Sequence, residues 1–109
     1  MSKYLVLYLS SMSAQEQMAS ATPEQGQESM AEWTTWAEQA GPTIVDLGQP
    51  VAHAFNVPDG ARLGLHVGGY SIMQTDSADE LRRILEGHPH HKAPGAVIEA
   101  HEILELPGM

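Results

Sequence analysis

Lys3-Tyr4-Leu5-Val6-Leu7-Tyr8-Leu9 is apolar at every position after its lysine. A β-strand turns successive side chains to opposite faces, so Leu5, Leu7 and Leu9 share one side while Tyr4, Val6 and Tyr8 share the other. Both faces need cover. After it, residues 10–21 are small and polar apart from Met12 and Met18 and show no period, which reads as a surface loop or flap. Thr22-Pro23-Glu24-Gln25 then supplies a helix N-cap, a proline at the first helical position, an acid in the first turn and a glutamine three residues after the cap. Met30, Trp33, Ala37 and Ala40 form the apolar stripe of that helix, and Gly41-Pro42 stops it.

Thr43-Ile44-Val45-Asp46-Leu47-Gly48 reads as a second strand with an acid in its middle. Between Val51 and Val67, Asp59-Gly60 is a turn signal flanked by Phe55 and Val57 on one side and Leu63 and Leu65 on the other, which predicts a hairpin or a long β excursion. Gly68-Gly69 leads into a third strand, Tyr70 to Thr75. Ser77 with Glu80 is a second capping box, and the helix it opens carries Leu81, Ile84 and Leu85 before failing at Gly87 to Pro89. The stretch His88 to Gly95 is a loop or broken turn, Val97 to Leu106 a fourth strand, and Pro107-Gly108 the end.

The order β-α-β-β-α-β predicts an α+β, ferredoxin-like fold: an antiparallel sheet with both helices on one face, in a single domain spanning residues 1–109. The other face of such a sheet is bare and oily, so a homodimer that buries it is expected. The competing arrangement folds residues 10–21 and 51–67 over the sheet and keeps the chain monomeric.

Composition narrows the function. Five Lys and Arg stand against 14 Asp and Glu, a net charge of −9, which leaves no basic footprint for nucleic acid. With 42% hydrophobic and 17% charged residues the chain is globular and is expected to be soluble, with no membrane span. No cysteine is present, so disulfides, thiolate catalysis and cysteine zinc sites are excluded. Residues 1–9 lack the features of a signal peptide, which makes the cytoplasm the default location.

Taken together, several segments resemble the YCII-related domain family, of which DGPF-domain proteins are a branch: Lys3-Tyr4-Leu5-Val6-Leu7-Tyr8, Met30-Ala31-Glu32-Trp33, Ile44 to Gly48, Gly68-Gly69-Tyr70-Ser71-Ile72 with Asp76 to Glu80, Gly87-His88-Pro89-His90, Glu99 to Ile103 and Leu106-Pro107-Gly108-Met109. The likeness covers nearly the whole chain; the Asp-Gly-Pro-Phe motif of the branch is absent. It implies a fold related to the dimeric α/β barrels, a homodimer and a cleft near the interface. Most members have no established function. Some are thought to be small enzymes, including a dehydrochlorinase-type activity on hydroxylated aromatics that uses a His and Asp pair. Asp46 falls where the family's acid does. The family's histidine partner lies on the first helix, and this chain has no His before His53.

Asp46 between Val45 and Leu47 is either a general base that orients a histidine or a polar residue hydrogen-bonded at a bulge. His88 and His90 are the other candidate catalytic residues, because imidazole exchanges protons near neutrality and the family pattern keeps this segment. In the bland alternative His88 caps the preceding helix and His91 is solvated. Three histidines in four positions suggest a metal, but ligands on a loop interrupted by Pro89 have no fixed convergence, and no metal or other cofactor is assigned. Tyr8, Trp36, Tyr70 and His101 are candidate ligand-binding residues. Trp33 belongs to the core stripe, whereas Trp36 lies off it and could border a pocket.

Two functions follow. One is a cofactor-independent enzyme of lyase or isomerase type, moving protons on a small organic molecule with Asp46 and a histidine of the 88–91 loop. The other is a non-catalytic dimeric module that binds a small ligand or another protein. The distance from Asp46 to the histidines separates them.

Overall fold

The computed structural model describes residues 1–60 and 64–108. Its elements are β1 (Ser2–Ser10), α1 (Ala14–Ser20), α2 (Pro23–Ala40), β2 (Ile44–Asp46), β3 (His66–Thr75), α3 (Ala78–Glu86) and β4 (Val97–Glu102), with 3-10 turns at Gly41–Thr43 and Pro89–Lys92. The four strands form an antiparallel open sheet in the order β2-β3-β1-β4. This is an α+β arrangement compatible with the expected ferredoxin-like plan.

Alternation along β1 decides the layering. Tyr4, Val6 and Tyr8 are buried with Met73 of β3 against Trp36 and Ala40 of α2 and Leu81 and Leu85 of α3, forming one core. Leu5 and Leu7 face the opposite way beside Ile72 and Tyr70 and are only half-buried. Leu9 breaks the alternation: a register shift after Tyr8 lets it be buried as well. The thickness of 20 Å against extents of 46 and 40 Å is that of two layers. A radius of gyration of 15.0 Å, where a compact chain of this length has about 13 Å, reflects parts that extend beyond the sandwich.

The first turns of α2 are one such part. Thr22 and Gln25 cap each other through reciprocal backbone bonds, as the sequence predicts. The apolar contact begins only at Trp33, and Met30 stays 69% exposed, so it drops out of the expected stripe. The segment 51–60 is another. Its Phe55 and Val57 are 75% and 85% exposed. No strand forms among residues 51–60, so the expected hairpin lacks its first arm. Leu63, which was to flank the turn, lies outside the described residues, as does Met109.

The expected loop at residues 10–21 contains α1 instead. Ser13 and Glu16 form a complete capping box, a local signal that needs no apolar stripe, and α1 buries none of its residues. β2 is shorter and β3 longer than expected, because β3 already pairs with β1 from His66. β4 ends at Glu102. Ile103 still donates its N–H to the Lys3 carbonyl (2.8 Å), but Leu104 and Leu106 beyond it are exposed.

Candidate functional site

Ser77 starts α3 by accepting the Glu80 N–H (3.1 Å), and the helix ends at Gly87, which sends the chain back across the C-terminal half of α2. This places His88 inside. It is 2% exposed, with ring centroids 4.2 Å from Trp36, 4.3 Å from Trp33 and 4.7 Å from Tyr8. Its Nδ1 accepts the His90 backbone N–H at 2.9 Å, which puts the proton of the neutral ring on Nε2. Among the described residues that Nε2 has no hydrogen-bond partner. It is surrounded by aromatic faces, which accept only weakly. Burial, followed by the nearness of His90 and His91, holds the His88 imidazole down at about 3, so it is neutral throughout the physiological range.

The neighbouring histidines are bonded to the backbone. His90 Nε2 donates to the Leu9 carbonyl at 2.7 Å, and His91 Nε2 to the Leu85 carbonyl at 2.9 Å. Burial lowers the His90 ring despite its bond to Leu9. His91, and not His88, therefore supplies the side-chain cap of α3. The three rings tie the turn to β1, to α3 and to itself. Among the described residues no group of three or more His, Asp or Glu converges as a metal site.

Trp36 is the more deeply buried tryptophan and donates its Nε1–H to the Ile84 carbonyl near the end of α3 (3.1 Å). Trp33, half-buried, packs edge-on to Tyr8 at 5.1 Å. Trp33 packs against the core as expected, while Trp36, expected off the stripe, is the deeper of the two and also borders a groove. Tyr8 donates its hydroxyl to Ser71 Oγ (2.8 Å), which donates to the Leu47 carbonyl (2.6 Å). Burial pushes the Tyr8 phenol up to about 12, outweighing its bond to Ser71, so it remains a donor.

Tyr8, Trp36, His88 and His90 are therefore brought together; Asp46, Tyr70 and His101 are not. Asp46 is exposed on the edge strand β2, opposite Ile72, and its Oδ1 accepts the Gly48 N–H at 2.8 Å. Strand spacing and rise put it roughly 14 Å from Tyr8, two strands across and three residues along. Tyr70 lies half-buried beside Leu7 on the face away from the helices. His101 and Glu99, on the same face of β4, pair with each other at 2.5 Å. Ser71 and the Leu47 carbonyl escape a reading by motif because their roles depend on long-range contacts.

Two concavities lie on either side of the end of α3, and the second of them is bordered by the buried histidine. A cleft of about 390 Å3 lies between α3 and β4, with Tyr4, Leu81, Leu85, Ile98 and Ala100 as its apolar walls and Arg82, Glu86 and His91 around them. A more open groove of about 500 Å3 runs between α2 and the Pro89–Lys92 turn, bordered by Trp36, Glu86, His88 and the ion-paired Glu32 and Lys92. No family model matches the chain, and no curated protein matches it.

Proposed function

We propose that the chain is a homodimeric, YCII-related module of the dimeric α/β-barrel type that binds a small ligand, and that it does not perform acid–base catalysis through Asp46 and a loop histidine. One observation carries this reading: Asp46 is bonded to the Gly48 amide on an exposed edge, roughly 14 Å along the sheet from Tyr8, the residue against which the sealed His88 ring and the carbonyl-bonded His90 ring pack. A base and the group it serves need to lie within hydrogen-bond reach, directly or through one water. The cleft of about 390 Å3 between α3 and β4 lies within the size range of small-molecule sites.

The dimer is supported by the sheet face that carries Leu5, Leu7, Tyr70 and Ile72, which the chain leaves half-covered while Phe55 and Val57 point to solvent. Light scattering is expected to give twice the 11.8 kDa chain mass, and Ile72→Arg on that face to halve it. A wild-type mass of one chain at micromolar concentration removes the dimer. Asp46→Asn retains an oxygen for the Gly48 amide, so stability is expected to change by less than about 1 kcal/mol, with ligand binding unaltered. If Asp46→Asn instead abolished turnover of a substrate found by screening, the binding-module reading would fall.

A further inference from the structure

The cleft between α3 and β4 offers two opposite charges over an apolar floor. Arg82 and Glu86 are four residues apart on α3, so their side chains rise from the same face, about 6 Å apart at Cβ. Both border the cleft, yet they do not form an ion pair with each other; among the described residues the ion pairs are Lys92 with Glu32 and His101 with Glu99. Beneath them lie Leu81, Leu85 and Ile98, and the small Ala100 leaves the β4 side open. His91 Nε2 is engaged with the Leu85 carbonyl, so its ring frames the cleft without supplying that nitrogen.

Electrostatics narrows the class of ligand. A chain of net charge −9 repels a free anion at long range, and within the cleft Arg82 and Glu86 offer one partner of each sign. A ligand that carries both charges and no net charge avoids that repulsion and engages both partners. We propose that the cleft binds a free α-amino acid with an apolar side chain, its carboxylate on Arg82, its ammonium on Glu86 and its side chain against Leu81, Leu85 and Ile98. This rests on the small-ligand reading above and gives it a substrate class. The cleft opens on the helix side of the sheet, so a dimer formed through the opposite face leaves it free.

The test is an amide NMR titration of the full chain with L-leucine, with 4-methylpentanoate, which lacks the ammonium, and with L-leucine methyl ester, which lacks the carboxylate. Leucine is expected to shift the resonances of Leu81, Ile98 and Ala100, and each one-headed analogue to bind at least about fivefold more weakly. Arg82→Gln, at an exposed position, is expected to weaken leucine and 4-methylpentanoate by about fivefold while sparing the ester. Ala100→Phe, also exposed, fills the cleft and is expected to abolish all three sets of shifts. Leucine binding that is indifferent to Arg82→Gln, or an analogue that binds as well as leucine, overturns the proposal. Shifts confined to Trp36, Gly87 and His88 overturn it too but leave a small-ligand module standing, as does a fragment screen that finds only uncharged binders. A screen with no binder of any kind sinks the module reading itself.

Discussion

Replacing Gly48 with alanine is expected to cost about 4 kcal/mol or more, a large share of the roughly 5–15 kcal/mol that holds a domain folded. Gly48 has φ +82, where a side chain by itself costs about 1–2 kcal/mol. A Cβ built there falls 1.7 Å from the Tyr70 carbonyl oxygen and 2.7 Å from its carbonyl carbon, both main-chain atoms of β3 that no rotamer change can move. Relief requires the end of β2 to lift from β3. That movement withdraws the Leu47 carbonyl from Ser71 Oγ and breaks the Asp46 bond to the Gly48 amide. A buried hydroxyl left without its acceptor adds about 1–3 kcal/mol. Gly41→Ala is the control, since its φ is also positive (+55) but a Cβ there meets nothing within 4 Å. Its cost should stay at the backbone strain alone, about 1–3 kcal/mol at φ +55 and ψ −127. Urea midpoints that fall equally in the two variants would show that the approach to Tyr70 carries no weight.

The same glycine shows what could be read from the chain before its fold was known. Asp46-Leu47-Gly48 contains a turn signal, in which an aspartate accepts an amide two residues on. An acid on a strand draws attention as a catalyst, but the local partner takes it. Where signals are local and pull the same way, as at Thr22-Pro23 or Ser77, the elements begin where expected. The two tryptophans illustrate the opposite case. Trp33 and Trp36 are three apart, so both can face the core side of α2, and the deeper burial of Trp36 goes with a carbonyl 48 residues away, that of Ile84. In the same way the loop histidines were recognisable as a cluster, but their orientation follows from Leu9, Leu85 and the rings that enclose them, and none of these contacts is encoded in spacing.

Acid should destabilise this protein well before its carboxylates are protonated, with His88 as the main cause. In the folded state the ring is held near 3 by burial, whereas in the unfolded chain it returns to 6.5. The unfolded state therefore binds more protons throughout that window. Stability is complete above pH 6.5 and is lost as pH falls towards 3, at about 1.4 kcal/mol per pH unit once the unfolded ring is protonated. At pH 4 this one residue has removed about 3 kcal/mol, and His90, shifted in the same direction, adds to it. The groups facing the ring do not counter the effect: Tyr8, Trp33 and Trp36 carry no negative charge here, and His90 and His91 oppose a further proton. His88→Asn supplies an oxygen where Nδ1 accepts the His90 amide but cannot take up a proton. It is expected to be less stable than wild type at pH 7.5, through lost ring packing, yet to lose much less between pH 7.5 and 4.5. Urea unfolding at the two pH values gives four midpoints. Equal pH losses in variant and wild type would mean that the acid sensitivity resides elsewhere and that the buried ring is not the proton acceptor.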